Sequence, residues 1–203
     1  MKLENVFMLL PNRTVGFGSI EVEGDTIAKI DLRTAPDATH QSRLVLPGLV
    51  NCHCHAPMTL LRGVGGGLPL QRWLEEAIFP IEAKMTAGDV YAGAVWGAVE
   101  MLAGGTTCVA DMYDFPGDTA RAFANAGMRA NVCRVRLSFV PGRLADCIDF
   151  TSRANGPDAQ TAVFADICIH SEYLTDENFC RELAAANREL GRPLHVHVSE
   201  TKK

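Results

Sequence analysis

The chain has 203 residues, of which 47% are hydrophobic and 21% are charged, and its formal net charge is -5 at pH 7. This length and composition allow a sizeable buried core, organised as one domain or as a small domain plus part of a larger one. The negative charge and the absence of any Lys/Arg cluster argue against nucleic acids and anionic membranes as partners, and favour a polar small molecule as the ligand.

The cysteines and the N-terminal residues indicate a cytoplasmic protein. The seven cysteines are odd in number and scattered, mostly inside apolar runs, which favours reduced thiols over a disulfide framework. The first residues, MKLENVFMLLPNRT, lack the basic region and the long apolar stretch of a secretory signal. Apolar runs all fall short of the roughly 18 residues that a membrane span needs.

Residues 1–45 predict a small β-rich domain. Segments 15–23 and 26–32 are rich in residues that favour strands, and the Gly24-Asp25 pair between them suits a tight hairpin turn. The pattern changes at about residue 45, so we place the boundary there and assign residues 46–203 to a second domain.

Strand-like and helix-like segments alternate in this second domain. An apolar run from Leu44 leads into His53 and His55. The helix-like segments that follow are 70–84, 89–102, 118–126 and 176–190, and the strand-like segments are 106–113, 128–139, 162–170 and 193–198. Alternation at this spacing predicts an α/β fold with a parallel sheet or barrel.

A (β/α)8 barrel of the TIM type is the favoured architecture, because polar residues collect at the strand ends, where such barrels do their chemistry. These residues are His55, Asp111, Arg134, His170, His197 and Glu200. An open doubly wound sheet is the alternative, but it lacks support from a Gly-x-Gly-x-x-Gly turn after a strand. Five barrel strands can be counted, whereas a complete barrel takes roughly 250 residues. We therefore expect only the first part of a barrel, with the C-terminal strands absent.

Two His-x-His pairs, His53/His55 and His195/His197, give the strongest indication of function. Random placement of six histidines in this chain would produce about 0.2 such pairs. Side chains at positions i and i+2 of a strand point the same way, so each pair can aim two imidazoles at one point. This geometry predicts a metal site.

Two other interpretations of the first pair stay open. Cys52 and Cys54 alternate with the histidines and face the opposite side of a regular strand, so the thiols are alternative ligands. A site without metal, in which the cysteines act as small apolar side chains, is the other possibility. We favour histidine ligands and a catalytic site, since closed thiolate sets are typical of structural zinc.

Four motifs together resemble the amidohydrolase superfamily, namely PGLVNCHCHAPMTLLRG, LPLQRWL, GGTTCVADMY and HVHVSET. Within it, they are most similar to the 5-methylthioadenosine/S-adenosylhomocysteine deaminases and their chlorohydrolase relatives. The resemblance implies metal-dependent hydrolytic deamination of an adenosine-type nucleoside, with release of ammonia, and makes residues 1–45 part of a composite β-sandwich. A chlorohydrolase or a guanine-type deaminase is the alternative activity, and a catalytically inactive half-barrel is the alternative to an enzyme.

The resemblance also assigns roles to individual residues. His53, His55 and His197 become ligands of one divalent metal, zinc or else iron, and a further Asp ligand is expected beyond residue 203. Glu200 becomes the catalytic proton shuttle. The substrate contacts that it implies are Glu82, at the ribose hydroxyls, and Arg134, Arg143 and His170.

Residue types alone suggest plainer roles for some neighbouring positions. Asp111, after a strand, is expected to cap the next helix, and His195 is expected to pack or hydrogen-bond behind the ligands. Arg134 suits a structural ion pair as well as a substrate contact. The open strand edges of a half-barrel favour association, so we expect a homo-oligomer.

Overall fold

The computed structural model describes residues 1–34, 43–134, 144–154 and 162–200. The chain divides into two compact units, Met1–Gly48 and Leu49–Lys203. Arg143, which the resemblance places at the substrate, lies outside the described residues. Among the helices of the described residues, none is long and apolar enough to cross a membrane.

The first unit contains a four-stranded sheet. Its strands are β1 (Lys2–Leu9), β2 (Val15–Glu23), β3 (Thr26–Arg33) and β4 (Arg43–Val45), in the spatial order β3-β2-β1-β4. β2 pairs antiparallel with both β1 and β3, and β4 runs parallel to β1. The predicted hairpin at Gly24 is confirmed, with Gly24 at the positive φ of 59° that a tight turn accepts from glycine. Val6, Met8 and Ile20 form the buried core of this sheet.

The second unit is built on a five-stranded parallel sheet that curls into half of a barrel. Its strands are β5 (Leu49–Cys54), β6 (Thr106–Tyr113), β7 (Arg129–Arg134), β8 (Val163–Ser171) and β9 (Leu194–His197). Each strand pairs in parallel with the next one along the chain. The predicted α/β half-barrel is confirmed. The doubly wound alternative is wrong, because the strand order does not reverse anywhere in this sheet.

Helical segments connect the strands. They are a 3-10 segment (Ala56–Leu61), α1 (Leu70–Arg72, π-helical Trp73–Ile78 and Phe79–Glu82), α2 (Ala87–Ala103), α3 (Pro116–Asn125), α4 (Leu144–Ala154) and α5 (Glu177–Leu190). The sequence pattern did not predict α4, and the predicted strand 128–139 is described only as far as residue 134. The predicted helix 176–190 corresponds to α5, which Gly191 ends at a φ of 63°.

Helix α2 packs unusually close to the 3-10 segment. Its N-terminus is fixed by a capping box, in which Thr86 and Asp89 exchange hydrogen bonds. Further along, a Cβ atom added to Gly93 would lie 2.4 Å from the carbonyl oxygen of Pro57. A Cβ atom on Gly97 would lie 3.1 Å from Thr59 Oγ1. These glycines therefore let α2 press directly on the segment that follows His55.

We predict that Gly93→Ala destabilises the protein by about 1–3 kcal/mol, because the new methyl group overlaps backbone atoms that cannot move independently. Gly88→Ala, on the same helix, is the control. Its added carbon would meet only Thr86 Oγ1 at 3.6 Å, so the higher helix propensity of alanine should leave stability equal or up to about 1 kcal/mol higher. Urea denaturation of both variants measures the difference, and equal stability of the two would contradict this packing.

Candidate active site

The curl of the sheet brings histidines from its two edge strands together. His53 lies in β5, His55 follows directly after that strand, and His197 ends β9. Although β5 and β9 are the outermost strands of the five, the Nε2 atoms of His53 and His197 are 2.9 Å apart. The carboxyl ends of the strands thus meet at one place, as in barrel enzymes.

His53, His55 and His197 form a group that can hold a metal ion. Each offers one ring nitrogen, and these nitrogens all lie within 4.8 Å of one another. The ring centroids are 4.9 Å apart for His53 and His55, 4.6 Å for His53 and His197, and 5.4 Å for His55 and His197. Three imidazoles at this spacing match the donor set that divalent zinc takes in catalytic sites.

Contacts of the Nδ1 atoms behind the rings indicate which nitrogen of each histidine is available to a metal. His55 Nδ1 donates to the carbonyl oxygen of Met112, and His197 Nδ1 donates to that of His170 at 2.6 Å. Because a carbonyl oxygen only accepts, both rings carry their proton on Nδ1 and keep the Nε2 lone pair. His53 Nδ1 is likewise occupied, 2.9 Å from His195 Nε2. The three residues therefore fit a metal bound through Nε2.

The surroundings favour the uncharged form of these rings, which is the form that binds metal. Partial desolvation by the surrounding atoms, with help from the neighbouring histidines, lowers the pKa of His53 to about 4. Burial also lowers the pKa of His55. His170, whose ring lies 4.8 Å from that of His197, has its pKa lowered to about 4, again chiefly by burial.

Asp111 stabilises the start of the 3-10 segment instead of capping the next helix. Its Oδ2 atom accepts hydrogen bonds from the backbone N–H of Ala56, at 2.6 Å, and from the Cys54 thiol, at 3.3 Å. No side-chain hydrogen bond caps α3, which begins after Phe115. The predicted role as a cap of α3 is therefore wrong. Asp111 lies within β6 opposite Cys54 of β5, so its carboxylate faces the preceding connection.

This contact also bears on the alternative in which the thiols are ligands. Cys54 directs its thiol to Asp111, away from the three-histidine group, and Cys52 is exposed. Among the described residues, the group that can hold a metal contains histidines and no cysteine.

A pocket opens beside the histidines, and Glu82 lies in its wall. It is lined by His55, Met58, Leu70, Trp73, Leu74, Ile78, Phe79, Glu82, Met112, Tyr113, Asp114, His170, His197 and Glu200. Tyr113 donates a hydrogen bond of 2.5 Å to Glu82 Oε1. Burial raises the pKa of Glu82, and the bond from Tyr113 opposes this rise. Glu82 is thus a partly buried carboxylate fixed at the pocket, and not a solvated helix residue.

Glu200 is held at the same pocket by the end of β8. The Tyr173 hydroxyl donates to Glu200 Oε2 at 2.5 Å. Burial and the bond to Glu200 raise the pKa of Tyr173 to about 12. Glu172 Oε1 accepts a hydrogen bond from the backbone N–H of Ser199 at 3.3 Å. Ser199 itself has a positive φ of 56°. Two adjacent residues of one loop therefore fix the turn that carries Glu200.

The other two predicted substrate contacts within the described residues are His170 and Arg134, and only His170 lines the pocket. His170 lines the pocket, and its Nδ1 lies 3.1 Å from Ser171 Oγ. Arg134 ends β7, where its carbonyl oxygen accepts from the Cys168 thiol at 2.9 Å. The Arg134 side chain is not among the described residues that line the pocket. Its contact with substrate stays a prediction.

Sequence reasoning missed both tyrosines that hold the carboxylates. Tyr113 is the last residue of the GGTTCVADMY motif and ends β6, and Tyr173 lies two residues after β8. Their positions at strand ends were the available signal. The pairing of each tyrosine with its carboxylate, across 31 and 27 residues of the chain, left no signal in the sequence.

Residues 44–203 match the family model described as the amidohydrolase family. The chain belongs to this family. It is 34% identical over 99% of its length to a 5-methylthioadenosine/S-adenosylhomocysteine deaminase of Acetivibrio thermocellus, and covers 46% of that protein. It is 42% identical over 79% of its length to the enzyme of the same name from Symbiobacterium thermophilum, and covers 38% of it.

A solved amidohydrolase structure shows the same fold. The adenosine deaminase from Xanthomonas campestris, with bound zinc, superposes with a TM-score of 0.84 at 29% identity, over 98% of this chain and 49% of that one. The chain thus spans between 38% and 49% of the length of these relatives. The resemblance that the four motifs indicated is confirmed, and so is the half-barrel.

We predict that the buried Asp111 makes the stability of the protein depend on pH. Burial raises the pKa of this carboxyl to about 7. A carboxyl with a raised folded-state pKa stabilises the fold at low pH, and this contribution is lost as the pH rises through about 7. Asp111→Asn should therefore gain stability relative to the parent between about pH 4 and pH 7, by up to about 4 kcal/mol. Denaturant melts of the metal-free protein measure this difference.

The control is Asp118→Asn, which changes an aspartate that pairs with Arg121 on helix α3. This variant should follow the parent across the same pH range. A stability difference between Asp111→Asn and the parent that does not vary with pH would show that the buried carboxyl does not titrate as described.

Proposed function

We propose that this amidohydrolase deaminates an adenosine-type nucleoside, such as methylthioadenosine, S-adenosylhomocysteine or adenosine, and releases ammonia. One observation carries the proposal: three imidazoles, whose ring nitrogens lie within 4.8 Å of one another, lie beside a pocket that also holds two anchored carboxylates, Glu82 and Glu200. Hydrolytic deamination needs these parts, namely an activated water, a proton carrier and a binding group for the nucleoside. The names of the relatives agree with this class of substrate.

His53, His55 and His197 would hold one divalent metal through their Nε2 atoms. Imidazole donors suit zinc, with iron as the alternative, and the related adenosine deaminase contains zinc. A divalent cation supplies the Lewis acidity that makes a water molecule nucleophilic near neutral pH.

Glu200 would carry the protons of the reaction. In deamination, the water oxygen bonds to C6 of the adenine ring, and a proton is placed on N1. The C6–N6 bond then breaks, ammonia leaves with a further proton, and a carbonyl remains at C6. Glu200 lines the pocket, and the hydrogen bond from Tyr173 holds one of its oxygens. The carboxyl therefore stays in position while it transfers these protons.

Another part of the pocket wall would bind the rest of the nucleoside. Glu82 offers a carboxylate oxygen to the ribose hydroxyls, and Tyr113 keeps this carboxylate in place. The side chains that α1 contributes beside it are mostly apolar, with Trp73 and Phe79 the largest. Such a surface suits a purine ring or an apolar 5′ substituent.

Substrate profiling of the purified protein tests the proposal. We expect ammonia release from adenosine, methylthioadenosine or S-adenosylhomocysteine, and loss of this activity when a chelator removes the metal. Zinc should restore it. Activity confined to guanine or to halogenated triazines would contradict the proposed substrate class, and lack of activity on all of them would favour an inactive half-barrel.

We predict that Glu200→Gln retains the metal but lowers kcat by about 100-fold or more, because the amide cannot carry a proton. The matched control is Glu189→Gln, at an exposed position of helix α5, which should leave kcat unchanged. Steady-state kinetics and metal analysis of both variants decide the point. Unchanged turnover of Glu200→Gln would remove this residue from the mechanism.

A further inference from the structure

A chain of hydrogen bonds extends behind His53 into the interior of the half-barrel. His53 Nδ1 lies 2.9 Å from His195 Nε2, and His195 Nδ1 lies 3.3 Å from Cys133 Sγ. The two rings are 5.0 Å apart at an angle of 76°. His195 belongs to β9 and Cys133 to β7. Neither residue has a role in the proposed reaction.

The direction of each bond follows from the ring chemistry. When Nε2 of His53 binds a metal, the proton of that ring resides on Nδ1 and is donated to His195 Nε2. A nitrogen that accepts carries no proton, so His195 has its proton on Nδ1 and donates it to Cys133 Sγ. Each nitrogen of the two rings then binds the metal, donates a hydrogen bond or accepts one, and the series of hydrogen bonds ends at the Cys133 sulfur.

Cys133 is well suited to accept this last bond. Its side chain is fully buried in a cluster with Met112 and Cys168, so water does not compete for the sulfur. Its contacts with Cys168 and with His195 lower the pKa of the Cys133 thiol, whereas burial raises it. A lower pKa favours the thiolate, which accepts a hydrogen bond more strongly than the neutral thiol does.

His53 differs from the other two histidines in what stands behind it. His55 and His197 donate to backbone carbonyl groups, which remain in place whatever the side chains are. The contact behind His53 is a side chain, which a substitution can remove. His53 is also exposed, whereas His55 and His197 are half-buried, so packing restrains its ring least.

We infer that His195 and Cys133 are positioning residues, which fix the tautomer and orientation of His53 and thereby set the affinity of the three-histidine group for its metal. The inference rests on the proposed function as far as the metal is concerned. The pair takes the place of the carboxylate or carbonyl group that usually stands behind a metal-binding histidine. Cys133 and His195 act through His53 and do not touch the substrate.

Zinc affinity, measured by competition with a chromogenic chelator, tests the inference without relying on activity. His195→Ala should weaken zinc binding by about 10–100-fold, as loss of such an outer partner typically does. His195→Gln should retain most of the affinity, since its amide oxygen can accept from His53 Nδ1. Cys133→Ala should weaken binding, and Cys133→Ser should weaken it less, because the hydroxyl oxygen still accepts.

The control is Cys147→Ser, the same chemical change at another fully buried thiol, on helix α4, and it should not alter zinc affinity. Equal weakening by all variants, the control included, would indicate a general loss of folding and overturn the inference. If the parent protein binds zinc and deaminates while His195→Ala binds zinc equally well, the inference alone fails. If the parent binds no zinc, the proposed function fails with it.

Discussion

His53 and His197 come from strands at opposite edges of a five-stranded sheet, and their ring nitrogens are nonetheless 2.9 Å apart. This approach depends on the curl of the parallel sheet, since a flat sheet would separate its edge strands by four strand spacings of roughly 4.8 Å each. The glycines of α2 and the buried Asp111 hold the segment after His55 against the sheet. These contacts therefore help to place His55 beside the other two imidazoles.

Each of the three histidines and two carboxylates of the candidate site is oriented by a second group. Backbone carbonyl groups or a neighbouring imidazole hold the Nδ1 atoms of the three histidines, and tyrosines hold the two carboxylates. Such support reduces the conformational freedom that substrate or metal would otherwise have to remove on binding. It also explains why the polar groups tolerate partial burial, because most of them have a partner.

The sequence predicted the architecture well because the signals for it are local. Alternation of apolar residues and turn residues such as Gly24 and Gly191 depend on short stretches of chain, and the His-x-His spacing acts within single strands. The role of Asp111 was mispredicted, because its partner Ala56 lies 55 residues away and belongs to an earlier connection. The bonds from Tyr113 and Tyr173 to the carboxylates, and from His195 to His53, are likewise tertiary contacts. Periodicity and propensity do not encode them.

We propose that histidine Nε2 atoms, without thiolates, bind the metal. X-ray absorption at the zinc edge of the metal-loaded protein tests it most directly. We predict only nitrogen and oxygen neighbours at about 2.0–2.2 Å, with the outer-shell scattering of imidazole rings. A sulfur neighbour at about 2.3 Å would mean that Cys52 or Cys54 is a ligand, and would contradict the site described above.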